Sequence, residues 1–252
     1  MGCDFSLDHF EEILTLVRER YEALTFREWT LGGARTPRVF IRHDVDHSLR
    51  LASQMARVEA KLGVRSTYFI QLHSDLYAAA TPAGASMVRD LVALGHEIGL
   101  HYDTGYYLSA ERDPSAAFEA DLALLSRLAG TPVVSAAKHN PIDTPAARDL
   151  ASRVKFDPYS EAFMRGLKYI SDSSMKWREG CACEHLARGR ELQVLLHPVW
   201  WLVEGPTLEA KVRQSWEIEA TAQAAIATAC GEEWVRCVVE REARDQRFEG
   251  GA

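Results

Sequence analysis

Two stretches of this chain gather the side chains from which hydrolytic chemistry is built. Arg42-His43-Asp44-Val45-Asp46-His47 follows the apolar run Val39-Phe40-Ile41. Gly95-His96-Glu97-Ile98-Gly99-Leu100-His101-Tyr102-Asp103 is a second apolar segment that ends on an imidazole and a carboxylate. A buried strand that runs straight into such groups is energetically demanding, because desolvating them costs several kcal/mol unless they are paired or bind a metal. Carboxylates and imidazoles are also the usual ligands of divalent ions and the usual carriers of protons. Asp44 and Asp46 lie two residues apart, so on extended chain they point to the same side. His101 shares side-chain parity with Glu97 and Gly99. Further chemically capable groups sit at Lys138-His139, Asp172 and His197.

The elements that must carry these groups follow from periodicity. Val39-Phe40-Ile41, Val64–Gln71, Glu97–Tyr102, Val133–Ala137, Tyr169–Asp172 and Leu192–Leu196 read as strands. Between them, residues 49–62, 85–94, 114–128 and 144–154 read as helices, with Asp143 or Thr144 capping the last. A helix capped by Ser6 opens the chain, Leu24–Trp29 is amphipathic, and Gly32-Gly33 breaks the pattern before the first strand. Leu208–Cys230 reads as a long helix, followed by a charged, loose tail from Arg241. Strand-then-helix alternation with short links predicts a parallel sheet, open or closed into a barrel. In α/β barrels functional groups gather at the carboxyl ends of strands, which is where Asp44, Asp46, His101, Asp103, Lys138, His139, Asp172 and His197 fall. One domain is expected: a barrel over 37–240, with a helical extension at 1–36 packed on it and a tail at 241–252.

Composition narrows the partners. A net charge of −7 without a basic block argues against nucleic acid. No apolar run is long enough to span a membrane, and the opening residues do not read as a leader, so a cytoplasmic setting is expected. Five cysteines, an odd number, are expected as reduced thiols. Nothing resembles a phosphate loop, a dinucleotide fingerprint or a serine elbow.

From Val39 to Trp201 the chain resembles the polysaccharide deacetylase family, the NodB-homology or carbohydrate esterase family 4 group. Arg42-His43-Asp44-Val45-Asp46 stands where that family has its aspartate motif, and Ser66-Thr67-Tyr68-Phe69 matches its second strand. Gly95-His96-Glu97-Ile98-Gly99-Leu100-His101 is similar to its Gly-His-Glu-Ile-Gly-x-His motif. Lys138-His139-Asn140-Pro141 resembles its Arg-x-Pro motif, Asp172 to Trp177 its Asp/Trp motif, and Val194-Leu195-Leu196-His197 its closing Leu-x-x-His motif. The resemblance implies a distorted (β/α)7 barrel, a divalent metal ion, usually zinc, and hydrolysis of an N-acyl group on a sugar or another small metabolite.

Carried over residue by residue, the resemblance makes Asp46 the metal ligand and Asp44 the base that activates water, with exchange of their roles left open because Val45 separates two aspartates the family usually has adjacent. His101 is the first histidine ligand. The family's second histidine would fall at Gly105, so a third ligand must come from elsewhere; His139 is the first choice and Asp103 the second, with His43 and His47 as alternatives. His197 is the expected general acid, oriented by Asp172. Arg42 and Lys138 are expected to hold the base in position. Tyr102, Trp177, Trp200 and Trp201 are candidate walls of a substrate pocket, with Tyr106 and Tyr107 behind them. His96, at the start of its strand, reads as structural. Cys181-Ala182-Cys183-Glu184-His185 matches no structural zinc-finger spacing, and no second cysteine pair follows it closely. Two other readings stay open: a metal-free ring-amide hydrolase of the same superfamily, and a ligand-binding relative that has lost its metal.

Overall fold

The structure, a computed structural model, describes residues 3–31, 37–110, 113–140 and 144–249. Gly32-Gly33 and Asp143, used above as a break and a cap, and Pro141 of the Lys138-His139-Asn140-Pro141 motif lie outside them. In chain order the elements are α1 (Leu7–Arg20), β1 (Glu22–Ala23), a 3-10 helix (Phe26–Leu31), β2 (Arg38–Val45), α2 (Leu49–Lys61), β3 (Thr67–Ile70), α3 (Pro82–Ala93) and β4 (Glu97–Tyr102). They continue with α4 (Thr104–Ala110), α5 (Pro114–Ala129), β5 (Ala136–Lys138), α6 (Pro145–Ala151), α7 (Glu161–Gly166), β6 (Lys168–Ser171), α8 (Ala182–Ala187), β7 (Leu192–Leu196), α9 (Pro198–Leu202) and α10 (Leu208–Glu249).

Every strand pairing is parallel, and the main sheet runs β5-β4-β3-β2-β7-β6. This is the curled α/β sheet that the alternation requires, a distorted barrel whose edge strands β5 and β6 do not pair among the described residues. The seventh strand, β1, is a short addition. It pairs with Arg38 and Val39 of β2, just below the point where β3 begins its own pairing at Arg42. Thus the 1–36 segment contributes to the sheet as well as packing on it.

Strand parity divides the molecule into layers. On the outer face, Val39, Ile41, Val194 and Leu196 pack under α1, α8 and α9, with Phe10, Ile13, Leu14 and Val17 supplied by α1. Tyr68, Ile70, Ile98 and Leu100 pack under α2, α3 and α5. On the inner face, Phe40 and Phe69 meet Phe26 from the 3-10 helix and Phe163 from α7 in an aromatic plug, with Trp29 against Phe40 and Phe163. Gly99 lies at this level because a Cβ there would meet the Phe69 ring at 2.4 Å. Glu97, also inward, ties the plug down: its carboxylate accepts from the Arg27 backbone N–H (2.9 Å), Thr67 Oγ1 (3.1 Å) and Ser135 Oγ (2.9 Å).

The helix ends follow their sequence signals. Ser6, Ser48, Thr81, Asp113 and Thr144 each accept a backbone N–H in the first turn of the helix that follows. The short helices α4, α7, α8 and α9 were too brief for periodicity to reveal. The last helix runs on from Cys230 to Glu249, so the stretch from Arg241 expected to be loose is helical. Among the described residues no helix is long and apolar enough to cross a membrane.

Candidate active site

The carboxyl ends of β2, β4, β5 and β7 converge above the aromatic plug. Asp46 Oδ1 lies 3.1 Å from His101 Nε2 and 3.1 Å from His139 Nδ1, and the two ring nitrogens are 3.3 Å apart. His101 sits on β4, and His139 just beyond β5, where its backbone N–H bonds the Tyr102 carbonyl (2.8 Å). The His101 Nδ1–H donates to the Ala137 carbonyl (3.0 Å), which leaves Nε2 bearing the lone pair that faces Asp46. Three atoms with lone pairs thus point at one another with spacings that a shared cation would explain. Ligands at roughly 2.0–2.1 Å from a tetrahedral ion are about 3.3–3.4 Å apart. The donor set, one carboxylate and two imidazoles, suits a catalytic divalent site with an open position. His139, the first choice for a third ligand, joins Asp46 and His101, whereas Asp103, the second choice, accepts the Gly105 N–H (2.7 Å).

Asp44 lies beside this set, with Oδ2 3.7 Å from His101 Nε2 and 3.1 Å from the Arg42 guanidinium. Its Oδ1 is buried without a hydrogen-bond partner. Arg42 is fully buried inside the barrel, and it also donates to the Tyr159 hydroxyl (2.5 Å). Burial works against its charge, but Asp44 and Tyr159 outweigh that and raise its pKa, so it stays a cation. Lys138 is buried nearby, its ammonium 5.7 Å from the Tyr159 ring centroid.

On another side His197 Nε2 is 3.7 Å from Asp46 Oδ2. Its Nδ1 is 2.5 Å from Asp172 Oδ1, its backbone N–H reaches Asp172 Oδ2 (3.0 Å), and the Trp201 indole N–H donates to the same oxygen (2.8 Å). Burial lowers the His197 pKa, but Asp172 beside it, with help from Asp46 and Asp44, overrides this and lifts it to about 9. Asp46 moves the other way: burial raises it, and the His101 and His139 imidazoles facing it carry it well below the usual carboxylate range. Asp46 beside it raises His139 despite burial, whereas burial lowers His47.

A cleft of about 530 Å³ opens from Asp46, His101 and His139, with His73 and Tyr106 on its wall. These two rings stack at 3.9 Å and 17°, and neither was a principal candidate from sequence. His73 had no signal, because it lies on the loop after β3 and outside every motif. Gln71 had none either; its side-chain amide donates toward Asp46 Oδ1 (3.4 Å) and His139 Nδ1 (3.0 Å).

The other expected pocket walls lie elsewhere or play bracing roles. Tyr102 borders the cleft, but its ring packs on Phe118 and Tyr107 on the helix side of β4. Trp201 holds Asp172, and Trp177 stacks on Phe5. Trp200 approaches the His47 and His197 rings at 6.1 and 6.2 Å and is buried. His43 faces the opposite side of β2 from Asp44, where Glu59 collects it (2.7 Å), Ser66 (2.6 Å) and Tyr68 (2.7 Å). His96 joins that network through Ser66 and the Ala56 carbonyl, in a structural place.

No family model matches the chain, and no curated protein matches it. Solved structures do. The family 4 acetyl xylan esterase from Clostridium thermocellum, in complex with a cobalt ion, is 18% identical and matches 68% of this chain and 78% of its own, with a TM-score of 0.42. The Streptococcus pyogenes deacetylase PplD, in complex with acetate, is 11% identical over 82% of this chain and 85% of its own, with a TM-score of 0.48. The peptidoglycan deacetylase PdaC from Bacillus subtilis is 10% identical over 74% and 85%, with a TM-score of 0.47.

Proposed function

We propose that this protein is a metal-dependent amidase that removes an acetyl or formyl group from an amine of a sugar or another small metabolite. The observation that carries this reading is the meeting of Asp46 Oδ1, His101 Nε2 and His139 Nδ1 within 3.3 Å, flanked by an unpartnered carboxylate oxygen of Asp44 and by an imidazole held on Asp172. Asp46, His101 and His139 would hold the ion, zinc being the best match to this donor set. When bound, such an ion supplies Lewis acidity to the scissile carbonyl and to the attacking water.

The chain's own residues do the rest. Arg42 fixes Asp44 through Oδ2 beside the cluster, and that carboxylate would take the proton of the attacking water. His197 is protonated near neutral pH and donates its Nε2 proton to the leaving nitrogen as the C–N bond breaks. Asp172 positions that ring through both Nδ1 and the backbone N–H, and Trp201 in turn holds Asp172. The cleft volume suits a small ligand or one unit of a larger one.

One observation favours the metal-free alternative. The Gln71 amide donates to the His139 lone pair that an ion would need. Elemental analysis of protein prepared without chelator, with acetate and formate release measured on a panel of N-acyl amines, separates the two readings. The proposal requires that Asp46→Ala and His101→Ala each remove the strand-end ion together with turnover. Full hydrolysis by chelator-stripped protein would establish the metal-free reaction instead.

A further inference from the structure

We propose a second, structural zinc site at Cys3, His9, Cys181 and Cys183, outside the strand-end cluster. The four side chains bring their ligand atoms within 4.8 Å of one another. Cys3 Sγ is 3.5 Å from Cys183 Sγ, and His9 Nε2 is 3.2 Å from Cys181 Sγ. A tetrahedral zinc with bonds of roughly 2.0 Å to nitrogen and 2.3 Å to sulfur spaces its ligands by about 3.5–3.8 Å.

The surrounding chain holds these groups in place. Ser6 caps α1 by accepting the His9 backbone N–H (3.2 Å), which sets His9 in the first turn, and the Ser6 hydroxyl donates to Asp4 (2.6 Å) next to Cys3. Cys181 and Cys183 flank the start of α8, after a turn in which Gly180 adopts φ 93°. The cluster therefore joins residues 172 and 180 positions apart in the chain, at a place where α1 and α8 pack together.

A cluster of three thiols and one imidazole fits zinc better than a disulfide. A disulfide would use two sulfurs and leave the third cysteine and the imidazole without a purpose. The His9 ring shows the further mark of a metal ligand: its other nitrogen, Nδ1, faces the Glu12 carboxylate at 3.1 Å. Such a carboxylate fixes the tautomer and leaves the Nε2 lone pair directed at the ion. Three sulfurs and one nitrogen make a full set of four ligands, the closed arrangement of structural rather than catalytic zinc. Binding would release the thiol protons as the thiolates form. The site would stand behind the catalytic acid, because the His9 ring stacks on Trp201 (centroids 6.2 Å apart), which holds Asp172.

Cobalt substitution of the wild-type chain is the first test. Protein stripped of metal and reconstituted with Co2+ should show the sulfur-to-cobalt charge-transfer band and intense visible bands of a tetrahedral thiolate site. Asp46→Ala should keep those bands, so failure here and failure of the amidase reading are distinguishable. Cys3→Ser, at the exposed ligand, should abolish or strongly shift them, and Glu12→Gln should weaken zinc affinity about 10–100-fold while the fold persists. Absence of the charge-transfer band in folded, reduced wild-type protein would overturn the proposal. So would a Cys3–Cys183 disulfide recovered from protein prepared anaerobically.

Discussion

The two histidine-containing clusters are built on opposite plans. The Asp46/His101/His139 cluster is set by sheet register on the inner face, uses oxygen and nitrogen, and opens on a cleft. The Cys3/His9/Cys181/Cys183 cluster is set by helix starts on the outer side, uses mainly sulfur, and comprises four ligands. Three ligands leave an open position for substrate, whereas four ligands leave none. Ligand count and softness therefore assign different work to two sites that share an imidazole chemistry.

The largest expected effect comes from the strand-end cluster. Asp46→Ala should reduce turnover to background and remove one metal ion per chain, while the thiolate bands of the cobalt form persist. Loss of both signals together would break the distinction between the clusters. Next, Asp44→Asn should lower kcat by about 10²–10⁴, the span of general acid–base contributions, with metal content unchanged. A loss of metal in that variant would exchange the roles of the two aspartates.

Asp172→Asn sharpens the link between the clusters. The Asp172 charge holds His197 in its protonated form, so its removal lowers the imidazole pKa. The acid form is then lost at lower pH, and the alkaline fall of kcat should begin earlier. A shift of one unit costs about tenfold at pH above the original pKa. The measurement is the kcat–pH profile, with KM little changed; an unmoved profile would remove His197 as the acid. The smallest effect on chemistry is expected from Cys183→Ser. It should lower Tm, by about 2–4 °C for each kcal/mol lost in a chain of this size, while kcat changes less than in any variant above.

Much of the first cluster was legible because strand parity is a short-range rule. Asp44, Asp46, His101 and His139 could be placed at strand ends from their neighbours alone, and His43 falls outside because it is one residue out of phase with Asp44. The second cluster could not be read this way. Cys181 and Cys183 were visible as a pair, but their partners, Cys3 and His9, are supplied by α1, and only the packing of α1 on α8 brings them near. The tryptophans misled for a related reason. Trp177 and Trp201 follow strand ends as pocket walls would, yet the N-terminal Phe5 and Phe10 draw them to the outer side, where Trp201 braces Asp172. The parallel α/β class, by contrast, needed only the alternation of strands and helices, while the barrel was what the family resemblance implied.

The aromatic plug has a kinetic consequence. Phe26, Phe40, Phe69 and Phe163 pack together in the barrel interior, below the cleft that opens from Asp46, His101 and His139. In the proposed amidase, an acyl group seated toward the plug would leave its acid fragment behind the amine. The amine would then have to clear before the small acid could escape. Turnover would then be governed by the traffic of products, and the acid should inhibit competitively at concentrations where the amine does not.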